Sequence, residues 1–170
     1  MACGLHGEPS GEAPRVVCLA GDGSIQMNVQ ELQTIVTQAL PVKIFVLNNG
    51  GYHSIRQTQA AWFPGNPVGY DAASGVGFPD FARLSAAYGI PFSRISSHAE
   101  LAAGIGAAMA GPGPHLCEVM LDPDQPFSPK AASRRLPDGR MVSSPLEDLS
   151  PFLSREELAS NLLIAPVEEE

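Results

Sequence analysis

Arg15-Val16-Val17-Cys18-Leu19-Ala20-Gly21-Asp22-Gly23-Ser24 opens the stretch that decides the fold, and Val42-Lys43-Ile44-Phe45-Val46-Leu47-Asn48-Asn49 closes it. Each half is a short apolar run that ends in polar, turn-forming residues. Between them Leu32, Ile35, Val36 and Ala39 recur at helical spacing, and Pro41 stops the pattern. Asn28, with Glu31 three positions on, reads as a variant capping box for that helix. Two strands joined through one helix make a βαβ crossover. Asp22 and Asn49 lie 27 positions apart, so adjacent parallel strands would bring both to the carboxyl edge of the sheet. That edge is where open α/β folds bind ligands. A carboxylate, an amide oxygen and nearby backbone carbonyls form a hard-oxygen set suited to Mg²⁺ that shares its coordination with phosphates.

Other readings of the same residues are weaker. An aspartate between two glycines is a common turn residue, because its side chain bonds the nearby backbone. Gly21 and Gly23 also fit the opening of a dinucleotide fingerprint, but Gln26 stands where the third glycine is required. An EF-hand needs oxygen ligands at alternate positions, and these do not occur here.

Gly-Asp-Gly, a spacer of this length and Asn-Asn together resemble the thiamine-diphosphate motif of the acetolactate synthase, pyruvate oxidase and pyruvate decarboxylase superfamily. The resemblance runs from about Arg15 to the C-terminus. It includes Ser24 to Glu31, Asn48 to Gln59 and the tail from Pro123, which is similar to members in sugar-biosynthesis pathways. It implies a doubly wound, mostly parallel α/β sheet flanked by helices, thiamine diphosphate and Mg²⁺ as cofactors, and Asp22, Asn49 and the Gly51 carbonyl as metal ligands. Gly21, Gly23 and Ser24 would meet the diphosphate, with a helix near Asn28 adding its dipole. Tyr52 and His53 would face the cofactor. His53 is open to a catalytic reading, a structural one or a backbone contact, and no catalytic residue is assigned. Ser54, Ile55 and Thr58 would line the second-substrate pocket. Acetolactate synthases carry methionine and tryptophan at the Ser54 and Thr58 positions, so the smaller residues point to an acceptor larger than pyruvate, such as a keto-sugar nucleotide.

The resemblance also implies the reaction: a 2-oxo acid, expected to be pyruvate, is decarboxylated and its two-carbon unit passes to an acceptor carbonyl. The family's pyrimidine-binding domain, which carries the activating glutamate, has no counterpart here, and Glu31 falls on the crossover helix. The 170 residues therefore read as a C-terminal piece, inactive alone, of a homo-oligomeric enzyme. The alternatives are a separate subunit of a two-subunit decarboxylase or a non-catalytic module.

The rest of the chain bounds the partners. A net charge of −8, with ten Lys and Arg spread thinly, argues against nucleic acid. No apolar run nears the roughly 20 residues of a membrane span, and the start lacks the pattern of a signal peptide. Cys3, Cys18 and Cys117 have no metal-site spacing. Cys18 and Cys117, inside predicted strands, are expected to be small buried hydrophobes in a cytoplasmic protein.

Along the chain, residues 1–14 read as a flexible segment and 15–121 as the binding domain. Gly50 to Gly77 is mostly non-periodic, with one short helix near Ser54 to Gln59. Phe81, Leu84, Ala87 and Tyr88 mark a helix led by Asp80 and stopped at Gly89, and Phe92 to Ile95 a strand. Ser97 and Glu100 suggest a capping box for the helix running to Met109, and His115 to Leu121 the last strand. Residues 122–170 hold seven of the 16 prolines and read as a Pro-rich tail. One short helix is expected there, capped by Ser154 and Glu157 and turning Leu158, Leu162 and Leu163 inward.

Overall fold

The computed structural model describes residues 16–135 and 138–164, with the backbone alone at Arg134 and Arg135. The expected flexible segment and Cys3 lie outside the described residues. Four strands form one parallel sheet: β1 (Val16–Gly21), β2 (Val42–Asn48), β3 (Phe92–Ile95) and β4 (His115–Met120), in the order β1-β2-β4-β3. Four helices accompany them: α1 (Glu31–Thr37), α2 (His53–Trp62), α3 (Phe81–Ala87) and α4 (Leu101–Ala110).

The pleat of the central strands sorts the core into two layers. Ile44, Val46 and Leu116 face Leu32 of α1 and Phe81 of α3, whereas Phe45 and Cys117 face Ala108 of α4. The face changes where the direction of travel changes. From β1 to β2 and on to β3 the chain moves one way across the sheet, and from β3 it steps back to β4. Crossovers of constant right hand then require the returning helix on the opposite face, where α4 sits. Gly104 of α4 packs so tightly that a Cβ there would lie 2.6 Å from Ile95 Cγ1. This is the doubly wound parallel arrangement that the sequence predicts.

Several local expectations change. Residues Ile25–Asn28 form a 3₁₀ turn directly after Ser24, and α1 begins at Glu31 after Gln30, so Asn28 caps nothing. Glu31 instead accepts from the Thr34 hydroxyl, 3.0 Å away. Ala39 lies past the end of α1 at φ 48°, exposed, and is not part of the apolar stripe. Asp80 does cap α3, its carboxylate accepting from Arg83 N at 3.1 Å. Ser97 makes no side-chain cap; Glu100 reaches past it to Ser96 N at 2.7 Å. Cys117 is fully buried, but Cys18 is exposed on β1, an edge strand of the described sheet whose Val17 and Leu19 are also exposed.

At the amino end of β2 a charge is buried among the apolar residues. Lys43 is 1% exposed, and its ammonium donates to the carbonyls of Gly111 and Gly113, each at 2.6 Å. Those two bonds clamp the Gly111–Pro114 turn that leads into β4. His115, the register partner of Lys43, is hydrogen-bonded through Nε2 to Ser93 Oγ at 2.8 Å. Burial, reinforced by the Lys43 charge, holds the imidazole below its ordinary value of 6.5.

The chain divides into two compact units, residues 1–124 and 125–170. In the second, β5 (Ser133–Arg135) and β6 (Met141–Ser143) pair antiparallel, and α5 (Arg155–Asn161) follows. The hairpin is absent from the sequence reading, although Asp138-Gly139, with Gly139 at φ 88°, is a turn signal. Ser154 Oγ caps α5 by accepting from Glu157 N at 3.2 Å. Leu158 and Leu162 are half-buried, while Leu163, expected inward, is fully exposed. Asp148, 4% exposed, holds Arg155 through two bonds of 2.6 and 2.9 Å.

Two measurements check this picture. Under native conditions a thiol reagent should label Cys18 quickly and Cys117 only after unfolding, as read by peptide mapping; equal labelling of both would contradict the placement of β1. For His115 the depressed folded value means that the unfolded chain binds the proton first. Its contribution is complete above pH 6.5 and is lost as pH falls below that value through the folded one. His115→Gln should flatten that part of the stability profile in urea melts.

Candidate functional site

Gly21 is the register partner of Leu47, so the two strands run out together and release their polar residues side by side. Asp22 follows β1 and is 2% exposed. Its Oδ1 accepts from Gly23 N at 2.7 Å, and its Oδ2 accepts from Gly51 N at 2.9 Å, across the gap between the two strand ends. Burial holds the Asp22 carboxyl above the usual carboxylate range, opposed by the backbone N–H groups of Gly23, Gly51, Gly50 and Asn49. Two of the carboxylate's four lone-pair sites are used in these bonds, so each oxygen retains acceptor capacity toward a cation.

The turn after β2 is shaped by backbone needs. Gly50 adopts φ 73°, which glycine takes without penalty. Its N–H donates to Asn48 Oδ1 at 2.9 Å. Gly51 bridges to Asp71, and Tyr52 N donates to Tyr70 O at 2.7 Å. A Cβ at Gly51 would lie 2.2 Å from Tyr70 O, so no side chain fits, and this position offers a cation its carbonyl alone. That carbonyl also accepts from His53 N at 3.1 Å. Gly23 is equally constrained: a Cβ there would meet the Tyr52 ring at 2.2 Å. Tyr52 in turn packs against Phe78, ring centroids 5.8 Å apart. The ring of Tyr52 thus seats the Gly21–Ser24 loop against the Asn49–Gly51 turn.

Asn49, Gly50, Gly51, Tyr52 and His53 line a cleft of about 380 Å³ together with Arg56, Tyr70 to Ala73 and Pro123. His53 is buried at the first turn of α2. Ser24 is exposed at the start of the 3₁₀ turn. α1 is only seven residues long and begins with an acidic residue, so the expected helix-dipole contribution is not built. Ser54 and Thr58 are exposed one turn apart on α2, Thr58 Oγ1 donating to Ser54 O at 3.0 Å, and neither lines the cleft. Ile55 is likewise exposed.

Four further participants escaped the sequence reading. Tyr70 and Asp71 take part through backbone, which no motif records. Arg56, paired with Asp124, sits on a helix with no periodic signal to mark its inward side. Glu118 lies in an apolar strand, 3% exposed, and receives Asn48 Nδ2 at 2.6 Å and Arg94 Nε at 2.7 Å. A glutamate inside such a run was the available signal. Among the described residues no three His, Cys, Asp or Glu side chains cluster as a metal site. A cation here would therefore need amide, carbonyl and external phosphate oxygens beside Asp22.

A family model, "Thiamine pyrophosphate enzyme, C-terminal TPP binding domain", matches residues 1–119. The chain belongs to this family. The chain is 38% identical over 112 residues to "Probable acetolactate synthase 2, chloroplastic" of Oryza sativa subsp. japonica, covering 62% of this chain and 17% of that protein. It is 35% identical over 135 residues to the acetolactate synthase isozyme 2 large subunit of Escherichia coli strain K12, covering 79% of this chain and 23% of that one. Among solved structures, the benzoylformate decarboxylase of Polynucleobacter necessarius superposes with a TM-score of 0.60 at 28% identity, covering 69% of this chain and 22% of that chain. The chain thus spans about a fifth of the length of the relatives it matches. As a thiamine pyrophosphate-binding domain it carries the Gly-Asp-Gly and Asn-Asn segments on facing strand ends, which accounts for their separation in sequence.

Gly51→Ala tests the tight contact that positions the turn. The methyl group would displace the Tyr70–Asp71 backbone and open the Tyr52 N–H, at a cost of about 1–3 kcal/mol. Urea denaturation together with amide exchange at Tyr52 measures both effects, and an unchanged midpoint with a protected Tyr52 amide would contradict the packing described.

Proposed function

We propose that this domain is the Mg²⁺- and thiamine diphosphate-binding part of an acetolactate synthase-like enzyme. In this reading Asp22, the Asn49 side-chain oxygen and the Gly51 carbonyl are the protein ligands of the cation. The observation that supports it is the 2.9 Å bond from Gly51 N to Asp22 Oδ2, which joins the loop after β1 to the turn after β2. The donor chemistry fits a hard divalent ion that keeps phosphate oxygens in its shell. Gly21, Gly23 and Ser24 would meet the diphosphate, Ser24 from its exposed position and Gly23 with the Tyr52 ring packed against it. Tyr52 and His53 wall the site on the α2 side.

When bound, thiamine diphosphate supplies the electron sink for loss of carbon dioxide from a 2-oxo acid. The parent reaction is then decarboxylation of pyruvate, with transfer of the two-carbon unit to an acceptor carbonyl. The names of the relatives support the two halves of this reading: acetolactate synthase for the transfer, and benzoylformate decarboxylase for the 2-oxo acid. The activating carboxylate would come from a pyrimidine-binding domain, in a homo-oligomer. Glu118 does not serve, since Asn48 and Arg94 engage it, and Glu31 is exposed on α1. The 170 residues alone should therefore not consume pyruvate.

Isothermal titration of the purified chain with thiamine diphosphate at millimolar Mg²⁺ tests the assignment. Binding should vanish when the metal is chelated, and Asp22→Ala should weaken it about tenfold or more. An affinity that Asp22→Ala leaves unchanged would end the metal assignment.

A further inference from the structure

Arg94 on β3, Glu118 on β4 and Asn48 on β2 occupy one face of three adjacent parallel strands. Arg94 is the register partner of Glu118, and Glu118 is the partner of Val46, two residues before Asn48. The rest of that face is apolar, with Val46 and Leu116 fully buried. A carboxylate in such a place loses its hydration, and the partly exposed Arg94 returns only part of that loss. An apolar residue of similar size would serve packing as well. Stability therefore gives no reason for Glu118, and its hydrogen bonds do.

An ionised carboxylate only accepts. Facing Glu118 Oε1, Asn48 must present its Nδ2 donor, which turns its Oδ1 toward the Gly50 N–H, 2.9 Å away. That bond holds Gly50 in its positive-φ conformation and aims the next amide, Gly51 N, at Asp22. Arg94 occupies the other carboxylate oxygen, Oε2, at 2.7 Å. The chain of bonds runs without a gap from Arg94 through Glu118, Asn48 and the turn to Asp22.

We propose that Glu118 is a positioning residue for the cation-binding turn, fixing the orientation of the Asn48 amide so that Gly50 and Gly51 present their backbone to Asp22. The proposal rests on the reading of Asp22, Asn49 and Gly51 as the cation site. It assigns different work to the paired asparagines. Asn49 supplies a ligand oxygen, and Asn48 transmits the geometry imposed by Glu118.

The isosteric variant Glu118→Gln separates positioning from packing. Arg94 has only donors, so the introduced glutamine must give it the amide oxygen and turn its NH₂ group to Asn48. Asn48 then flips, setting its own NH₂ against the Gly50 N–H. In the full 170-residue chain, Glu118→Gln should accelerate hydrogen exchange of the Gly50 amide about tenfold. Mid-sheet amides such as Phe45 and Cys117 should keep their protection, and affinity for thiamine diphosphate with Mg²⁺ should fall about tenfold or more. Adding Arg94→Met frees the introduced glutamine to offer its oxygen to Asn48, and the double variant should recover both readouts. Unchanged Gly50 exchange in Glu118→Gln would overturn the proposal. So would equal loss of protection across the sheet, or failure of the double variant to recover. If the unsubstituted chain binds no thiamine diphosphate with Mg²⁺, the cation reading falls, and Gly50 exchange still decides whether Glu118 sets the turn.

Discussion

The hydrogen bond from Gly51 N to Asp22 Oδ2 joins two loops that are 29 residues apart in sequence, and the rest of the site depends on it. It exists because β1 and β2 pair in parallel with Gly21 opposite Leu47, so both strands end at the same level. A shift of one residue in that register would turn Asp22 to the other face and leave the turn without its acceptor. The register is held in turn by the apolar layers of β2 and β4, whose alternate residues pack against α1 and α3 on one side and α4 on the other. Core packing and site geometry are thus one constraint viewed at its two ends.

Buried charges stand at both ends of this sheet and do opposite work. At the amino end Lys43 clamps the Gly111–Pro114 turn through two carbonyls and shapes the entry to β4. At the carboxyl end Asp22 and Glu118 collect backbone and side-chain donors and shape the loops that follow β1 and β2. An unpaired charge in such a place would be strongly destabilising. Each is supplied with hydrogen bonds of 2.6–2.9 Å, which tie the surrounding backbone in place. Rigid placement of this kind suits a site that must hold a multivalent ligand without reorganisation.

The glycines divide into those that turn the chain and those that admit a neighbour. Gly50 belongs to the first group, with φ 73°. Gly23 and Gly51 belong to the second, since a methyl group would strike the Tyr52 ring in one case and the Tyr70 carbonyl in the other. The family likeness says that glycines belong here. The contacts say why, and they show that a main-chain carbonyl is the only oxygen that position 51 can offer.

How much of this was legible without coordinates depends on the range of the interaction. The apolar runs, Pro41, Asp80 and Gly89 act locally, and from them the strands, α3 and the α/β class followed. The Gly-Asp-Gly and Asn-Asn segments pointed to the family, which the match over residues 1–119 bears out. The errors were at positions where local signals compete. Asn28 and Ser97 have capping chemistry, yet the chain enters 3₁₀ turns there and starts its helices later. Cys18 lies in an apolar run, but only the sheet order reveals that β1 is an edge strand of the described sheet, where Val17, Cys18 and Leu19 are all exposed. By itself the sequence determined the fold class, the family and the two strand ends that carry polar residues, because spacing and hydrophobic period are properties of neighbours along the chain. Only the tertiary structure decided that Gly51 meets Asp22, that Tyr70 closes off position 51 and that Glu118 governs Asn48, because hydrogen bonds across strands depend on register, which no local pattern encodes.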